Sequence, residues 1–259
     1  MMSIDKLLDG SASIKESAGA LIEDPLTFFD MSYTKMQSVP RALLEELQTA
    51  ALSLRFERQK DRIQTLSKLA DRQGITHVSE FNEVLPLCFE HTMYKSYPSF
   101  LLEKSQFDKL TAWLDRLTPH DLSKLDTSGC HSIHSWLDLL CAETEVDPIA
   151  SSGTTGTMSF TPRDKSDWRT QILGGYRIQL LQKFGEPPTE SDLNEELYVP
   201  WPTHPDGHNG LFRAAHYINK YLAREREDHF YPMYDTAADT DVMYLAARLR
   251  AAQARGDSR

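Results

Sequence analysis

The chain has 259 residues, 40% of them hydrophobic, and a formal net charge of −10. That composition supports a sizeable core in one large or two small domains, no stretch is long and apolar enough for a transmembrane helix, and the acidic balance argues against an extended nucleic-acid surface, which needs a basic face. Three cysteines in no framework spacing, with an N-terminus lacking the basic start and apolar run of a secretory signal, imply a cytoplasmic protein with free thiols.

The first half reads as helical. Leu43, Leu44, Leu47, Ala51 and Leu54 recur at three- and four-residue steps, and Ile63, Leu66 and Leu69 continue the stripe. Pro40 stands where this helix would begin and Gly74 where it would stop. A second helix is predicted over Lys104–Leu117, with Ser105 as its cap and Phe107, Leu110, Trp113, Leu114 and Leu117 on one side. A third, over Ser132–Ala142, turns Ile133, Trp136, Leu137, Leu140 and Cys141 inward. From about residue 145 strands and helices alternate. Short β-like stretches at Val146–Ala150 and Met158–Thr161 flank a Gly/Thr loop. A helix follows over Lys165–Phe184, with Trp168, Ile172, Tyr176, Leu180 and Phe184 in register, then a strand at Glu196–Val199. The pattern closes with a helix over Leu211–Arg226, a strand at Phe230–Tyr234 and a helix over Asp241–Arg255. The expected fold is α/β: a helical N-terminal half, then a mixed, largely parallel sheet with flanking helices. The expected division is an N-terminal helical segment at 1–75 and an α/β domain at 76–259.

The loop between the two short strands is Ser151-Ser152-Gly153-Thr154-Thr155-Gly156. Its glycines let the backbone turn tightly and bring bare N–H groups up to a ligand. The hydroxyls add donors, which bind anions more strongly than neutral acceptors. The polyphosphate of a nucleotide suits such a loop. It is not a Walker loop, because no Gly-Lys-Ser/Thr follows Gly156, and the glycine spacing does not suit a dinucleotide-binding turn.

Ser-Ser-Gly-Thr-Thr-Gly resembles the phosphate loop of the adenylate-forming superfamily. The segments His91-Thr92-Met93-Tyr94-Lys95-Ser96-Tyr97-Pro98 and Ser159-Phe160-Thr161-Pro162-Arg163-Asp164 resemble its acyl-protein synthetase and phenylacetate–CoA ligase-like branch. The resemblance covers roughly residues 76 to 259 and is sharpest at the loop. It implies ATP-dependent activation of a fatty or aryl carboxylic acid as an acyl-adenylate, with Mg2+ as cofactor. CoA, a carrier protein or an amine would accept the acyl group. On this resemblance Ser151, Ser152, Gly153, Thr154, Thr155 and Gly156 bind the ATP phosphates. The family's adenine motif, ribose-binding Asp and catalytic Lys have no match after Gly156. The chain is therefore expected to supply the phosphate-loop half of such a site, and no catalytic residue is assigned. The alternative is a truncated, non-catalytic nucleotide- or partner-binding relative of the same fold.

The loop Pro200-Trp201-Pro202-Thr203-His204-Pro205-Asp206-Gly207-His208-Asn209-Gly210 is rich in residues that restrict the backbone. By the same resemblance, His204 or His208 would border the carboxylate substrate. His204-x-Asp206-x-His208 has metal-ligand chemistry without a fourth ligand. Cys130, His131, His134 and Cys141 match no structural zinc spacing and fall on different helix faces. No metal site is expected from either set.

Overall fold

Proline and glycine bound the long N-terminal stripe as their backbone chemistry requires. Pro40 precedes the helix Arg41–Gln59, and Gly74, at φ 68°, ends the helix Gln64–Gln73 in the left-handed conformation that a residue without Cβ adopts readily. The predicted single stripe is thus two helices, interrupted at residues 60–63. A computed structural model describes residues 2–151, 153, 157–178, 194–237 and 239–256. Contacts divide the chain into two compact units, Met1–Cys88 with Arg169–Glu196 and Phe89–Trp168 with Leu197–Arg259.

The first unit contains α1 (Ile4–Leu8), α2 (Ile14–Glu23), α3 (Pro25–Phe28), α4 (Tyr33–Ser38), α5 (Arg41–Gln59) and α6 (Gln64–Gln73). Caps mark several of the breaks: Ser13 with Glu16 forms a capping box on α2, Asp24 caps α3 and Ser32 caps α4. Ile4, Phe28 and Leu47 anchor one apolar cluster, and Phe56, Ala70, Val78 and Leu87 a second. The expected boundary near residue 75 falls inside this second cluster. A 3-10 segment, Phe81–Leu87, brings Leu87 back onto Phe56 and Ala70, so the unit extends to Cys88. Its other piece begins at Arg169, a long-range return that no local pattern signals.

The second unit contains α7 (Phe100–Glu103), α8 (Phe107–Leu114), α9 (Ile133–Glu143), the start of α10 (Lys165–Ile172), α11 (Gly210–Tyr221) and α12 (Thr240–Arg255). Phe107, Leu110, Trp113 and Leu114 of α8 are buried, as the stripe predicts, together with Leu117 just beyond it. Ser105 is not the cap, because it takes a positive φ of 50° one residue before Gln106. Trp136, Leu137 and Leu140 of α9 complete this core with Phe160. Trp136 meets Phe160 edge to face at 5.2 Å and donates its indole N–H to Thr111 Oγ1 at 2.8 Å.

The α/β class stands, but the largely parallel sheet does not. The described residues carry two separate two-stranded sheets. β1 (Ile149–Ala150) pairs antiparallel with β2 (Phe160–Thr161), since a short loop can only fold one strand back beside the other. β3 (Val199–Trp201) pairs parallel with β4 (Phe230–Pro232), and α11 supplies the crossover that parallel pairing needs. The helix expected over Lys165–Phe184 passes from α10 into a π-turn at Leu173–Arg177. The extra residue of that turn shifts the register, leaving Tyr176 exposed and Arg177 buried. Leu180 and Phe184 lie outside the described residues. The last two helices start as predicted. α11 ends at Tyr221, short of Arg226, because Arg224 and Glu225 take positive φ.

Candidate functional site

All the groups described here belong to the second unit. The arms of the β1/β2 hairpin extend beyond the two strand pairs. Ser151 N–H donates to the Ser159 carbonyl at 2.9 Å, Asp147 N–H to Arg163 at 2.7 Å and Lys165 N–H to Glu145 at 3.1 Å. At the mouth, Ser151 Oγ accepts from Ser159 N–H at 2.8 Å and from Gly153 N–H at 3.4 Å. Gly153 has φ 65°, and a Cβ there would sit 3.1 Å from Met158 Cγ, so both backbone and space favour glycine. Ser152, Thr154, Thr155 and Gly156 lie outside the described residues. The Tyr94–Tyr97 region supports the hairpin: Tyr97 is buried and its O–H donates to the Met158 carbonyl at 2.9 Å. The two resemblance-bearing segments touch where the Tyr97 and Phe160 rings stand 5.6 Å apart.

β1 also bonds outward, Ala150 N–H donating to the His208 carbonyl at 2.7 Å. His208 belongs to a cleft of about 570 Å3 that Asp147, Arg213 and Tyr217 also line. Asp147 is fully buried and is the hub of a polar cluster. It forms an ion pair with Arg213. Tyr217 O–H donates to its Oδ2 at 2.5 Å, and Cys141 S–H donates to its Oδ1 at 3.2 Å. Arg213 and Tyr217 lie four residues apart on α11, which Asn209 caps by accepting from the Leu211 and Phe212 N–H groups. Tyr217 stacks on Trp168 with ring centroids 5.2 Å apart.

On the other wall, α9 presents His134 and Asp138 one turn apart. Ser132 caps this helix, and the Asp241 carboxylate accepts from the Ile133 and His134 N–H groups at 2.9 and 3.0 Å. His208 follows Gly207, whose φ of 146° suits glycine and where a Cβ would lie 3.0 Å from the Phe212 ring. His208 Nε2 lies 2.9 Å from Asp138 Oδ1, and His134 Nε2 lies 3.6 Å from Asp138 Oδ2. The two imidazoles meet edge to face at 4.9 Å.

Burial sets the protonation of the cleft. It pushes the His216 imidazole down to about 4, with the Arg213 charge adding to the effect. It also lowers His208, outweighing the hydrogen bond to Asp138. Burial, and then the Asp147 charge, hold the Tyr217 phenol and the Cys141 thiol above their ordinary ranges. For Arg213 burial opposes the charge, but Asp147 prevails and raises its pKa. Neutral imidazoles therefore sit beside the cations Arg213, Lys165 and Lys220. Arg213 Nε and His208 Nδ1 are buried with no hydrogen-bond partner among the described residues. Asp138, Asp147 and Asp206 balance these cations in the same cleft, and the lowered imidazoles offer uncharged nitrogen ligands or bases.

His208 thus lies in the cleft. His204 closes onto its neighbour instead, its Nδ1 accepting from Asp206 N–H at 3.2 Å. Cys130, His131, His134 and Cys141 do not converge: Cys130 Sγ approaches the Ser135 carbonyl, Cys141 turns to Asp147, and His131 is exposed. The sequence reading missed Asp138, Asp147, Arg213 and Tyr217. Two helical spacings placed three of them on helix faces, His134-x-x-x-Asp138 and Arg213-x-x-x-Tyr217, whereas nothing local marked Asp147. Comparison of the chain with protein-family models, curated proteins and solved structures finds no match.

Proposed function

We propose that the chain binds Mg-ATP through the Ser151–Gly156 loop and activates a carboxylic acid as an acyl-adenylate. The observation that carries this reading is the bond from Ala150 N–H to the His208 carbonyl. It ties the strand leading into the phosphate-type loop to His208, which lines a cleft that also carries Lys165, Arg213 and Lys220 beside Asp138, Asp147 and Asp206. A triphosphate and a carboxylate must both be held, and their mutual repulsion offset, for one to attack the other. The hairpin mouth fits the first task. Gly153 keeps the turn free of a side chain, and the Ser151 hydroxyl ties both arms together. ATP would supply the electrophilic α-phosphate, and Mg2+ would offset part of the triphosphate charge. Lys165 and Lys220 would attract the carboxylate, Arg213 being paired with Asp147, and would have to outweigh the Asp138 and Asp206 charges of the same cleft. The acceptor, whether CoA, a carrier protein or an amine, is a further partner of the same reading.

The test is calorimetric binding of Mg-ATP and Mg-pyrophosphate, followed by carboxylate-dependent exchange of pyrophosphate into ATP with fatty and aryl acids. Binding weakened at least about tenfold by Thr154→Ala or Gly156→Ala, together with exchange, is the expected result. Unchanged affinity in both variants overturns the loop assignment. Mg-ATP binding without exchange would favour a non-catalytic nucleotide-binding relative.

A further inference from the structure

We infer that His134, Asp138 and His208 form a binding site for a divalent first-row transition ion, with Zn2+ the best-matched, and with an open position toward the cleft. One ligand atom from each residue lies within 4.8 Å of the other two. Around a tetrahedral zinc with bonds of about 2.1 Å, neighbouring ligand atoms stand about 3.4 Å apart. His208 Nε2 lies 2.9 Å from Asp138 Oδ1 and His134 Nε2 lies 3.6 Å from Oδ2, so each imidazole stands near that edge length from one oxygen of the same carboxylate. The remaining closure falls to His134, whose side chain is one-third exposed.

The donor set matches the metal. Two imidazoles and one carboxylate favour a borderline divalent ion over Mg2+ or Ca2+, which prefer all-oxygen sites. Each ligand is also placed by a feature outside itself. His134 and Asp138 share one face of α9, and Asp241 and Ser132 cap the end of the helix that carries His134. Thr240 Oγ1 stands 3.5 Å from His134 Nδ1, which turns Nε2 toward Asp138. His208 is 3% exposed, follows a glycine-requiring turn, and hangs its backbone on β1. Its Nδ1 has no partner among the described residues, so no other contact commits the ring elsewhere. Three protein ligands leave a zinc ion one position short, as in sites that bind water or substrate. Arg213, with its buried unpartnered Nε, lines the same cleft. A small oxyanion, carboxylate or phosphate, is the chemical class expected at the open position.

This inference needs neither the phosphate loop nor ATP, so its test is independent of them. Full-length protein without a polyhistidine tag is stripped with chelator and titrated with ZnCl2 by calorimetry and with CoCl2 by visible absorption, in a Cys88→Ser background that removes the exposed thiol. One equivalent of Zn2+ should bind with a Kd of about 10 µM or tighter, and Co2+ should give a visible d–d band that Zn2+ abolishes. His134→Ala and Asp138→Asn alter groups on the cleft rim. Each should lower Zn2+ affinity by about 100-fold or more, beyond the usual effect of losing an outer-shell partner, while the far-UV circular dichroism stays unchanged. Absence of a stoichiometric site, or Zn2+ affinity unchanged in both variants, would overturn the assignment.

Discussion

Replacing Asp147 by Ala tests whether the cleft is built around one buried carboxylate. The side chain is fully buried and serves Arg213, Tyr217 and Cys141 at once. Its removal strands the Arg213 guanidinium, itself only 7% exposed, without its counter-charge. Breaking a buried pair from one side typically costs about 3–5 kcal/mol. The Tyr217 O–H also loses its acceptor, worth about 1–3 kcal/mol alone. Both effects pass through the same carboxylate, so they are not summed, and the expected loss is about 4 kcal/mol. Against a typical domain stability of about 5–15 kcal/mol, that brings the second unit close to unfolding. Asp147→Asn keeps the shape and one acceptor and should lose about half as much. The double variant D147L/R213M removes both charges and should recover at least about 2 kcal/mol over D147A, since the main cost is the stranded cation. Urea unfolding followed by tryptophan fluorescence reads this directly, because Trp113, Trp136, Trp168 and Trp201 all lie in the second unit. A D147A loss under about 1 kcal/mol, or a double variant no better than D147A, refutes the reasoning.

The same fluorescence assay across pH examines His216. Burial pushes its imidazole down to about 4 in the folded state, Arg213 and Lys220 lower it further, and Asp147 and Asp206 raise it. Unfolded, it takes a proton below about 6.5, so the unfolded state binds more protons between those values. Stability is then unaffected by this group above pH 6.5 and falls as pH drops from 6.5 to 4. Allowing for partial exposure, His216→Gln should lose about 2 kcal/mol less than the parent between pH 7 and pH 4; parallel pH curves would contradict this. Tyr97→Phe removes the donor to the Met158 carbonyl beside the loop. It should cost about 1–2 kcal/mol in urea unfolding and speed amide exchange at Ser159, whose N–H bonds to Ser151. Unaltered stability and exchange would mean that water replaces the phenol at no cost.

The longer helices of the second unit were legible from the chain because their cause is local, whereas the one-turn α7 was not predicted. Phe107 to Leu117 and Ile133 to Leu140 repeat at helical steps, and Ser132, Asn209 and Asp239 cap within three residues of themselves. Gly74 ended a helix as predicted, for the same local reason. The hairpin was also local: two short apolar runs around a glycine-containing loop, with β1 and β2 within the predicted stretches. Pairing between distant strands was not local, so the expected single sheet resolved into two pairs whose partners are chosen by packing. The cleft lies furthest from local rules. Asp138 and His208 are separated by 70 residues, and Asp147 and Arg213 by 66. No periodicity marks such partners, because a buried carboxylate finds its counter-ion only after α9, β1 and α11 have docked. Side-chain chemistry was therefore written residue by residue along the chain, whereas its convergence into one site was set by the docking of helices whose apolar faces carry no record of what their polar faces will meet.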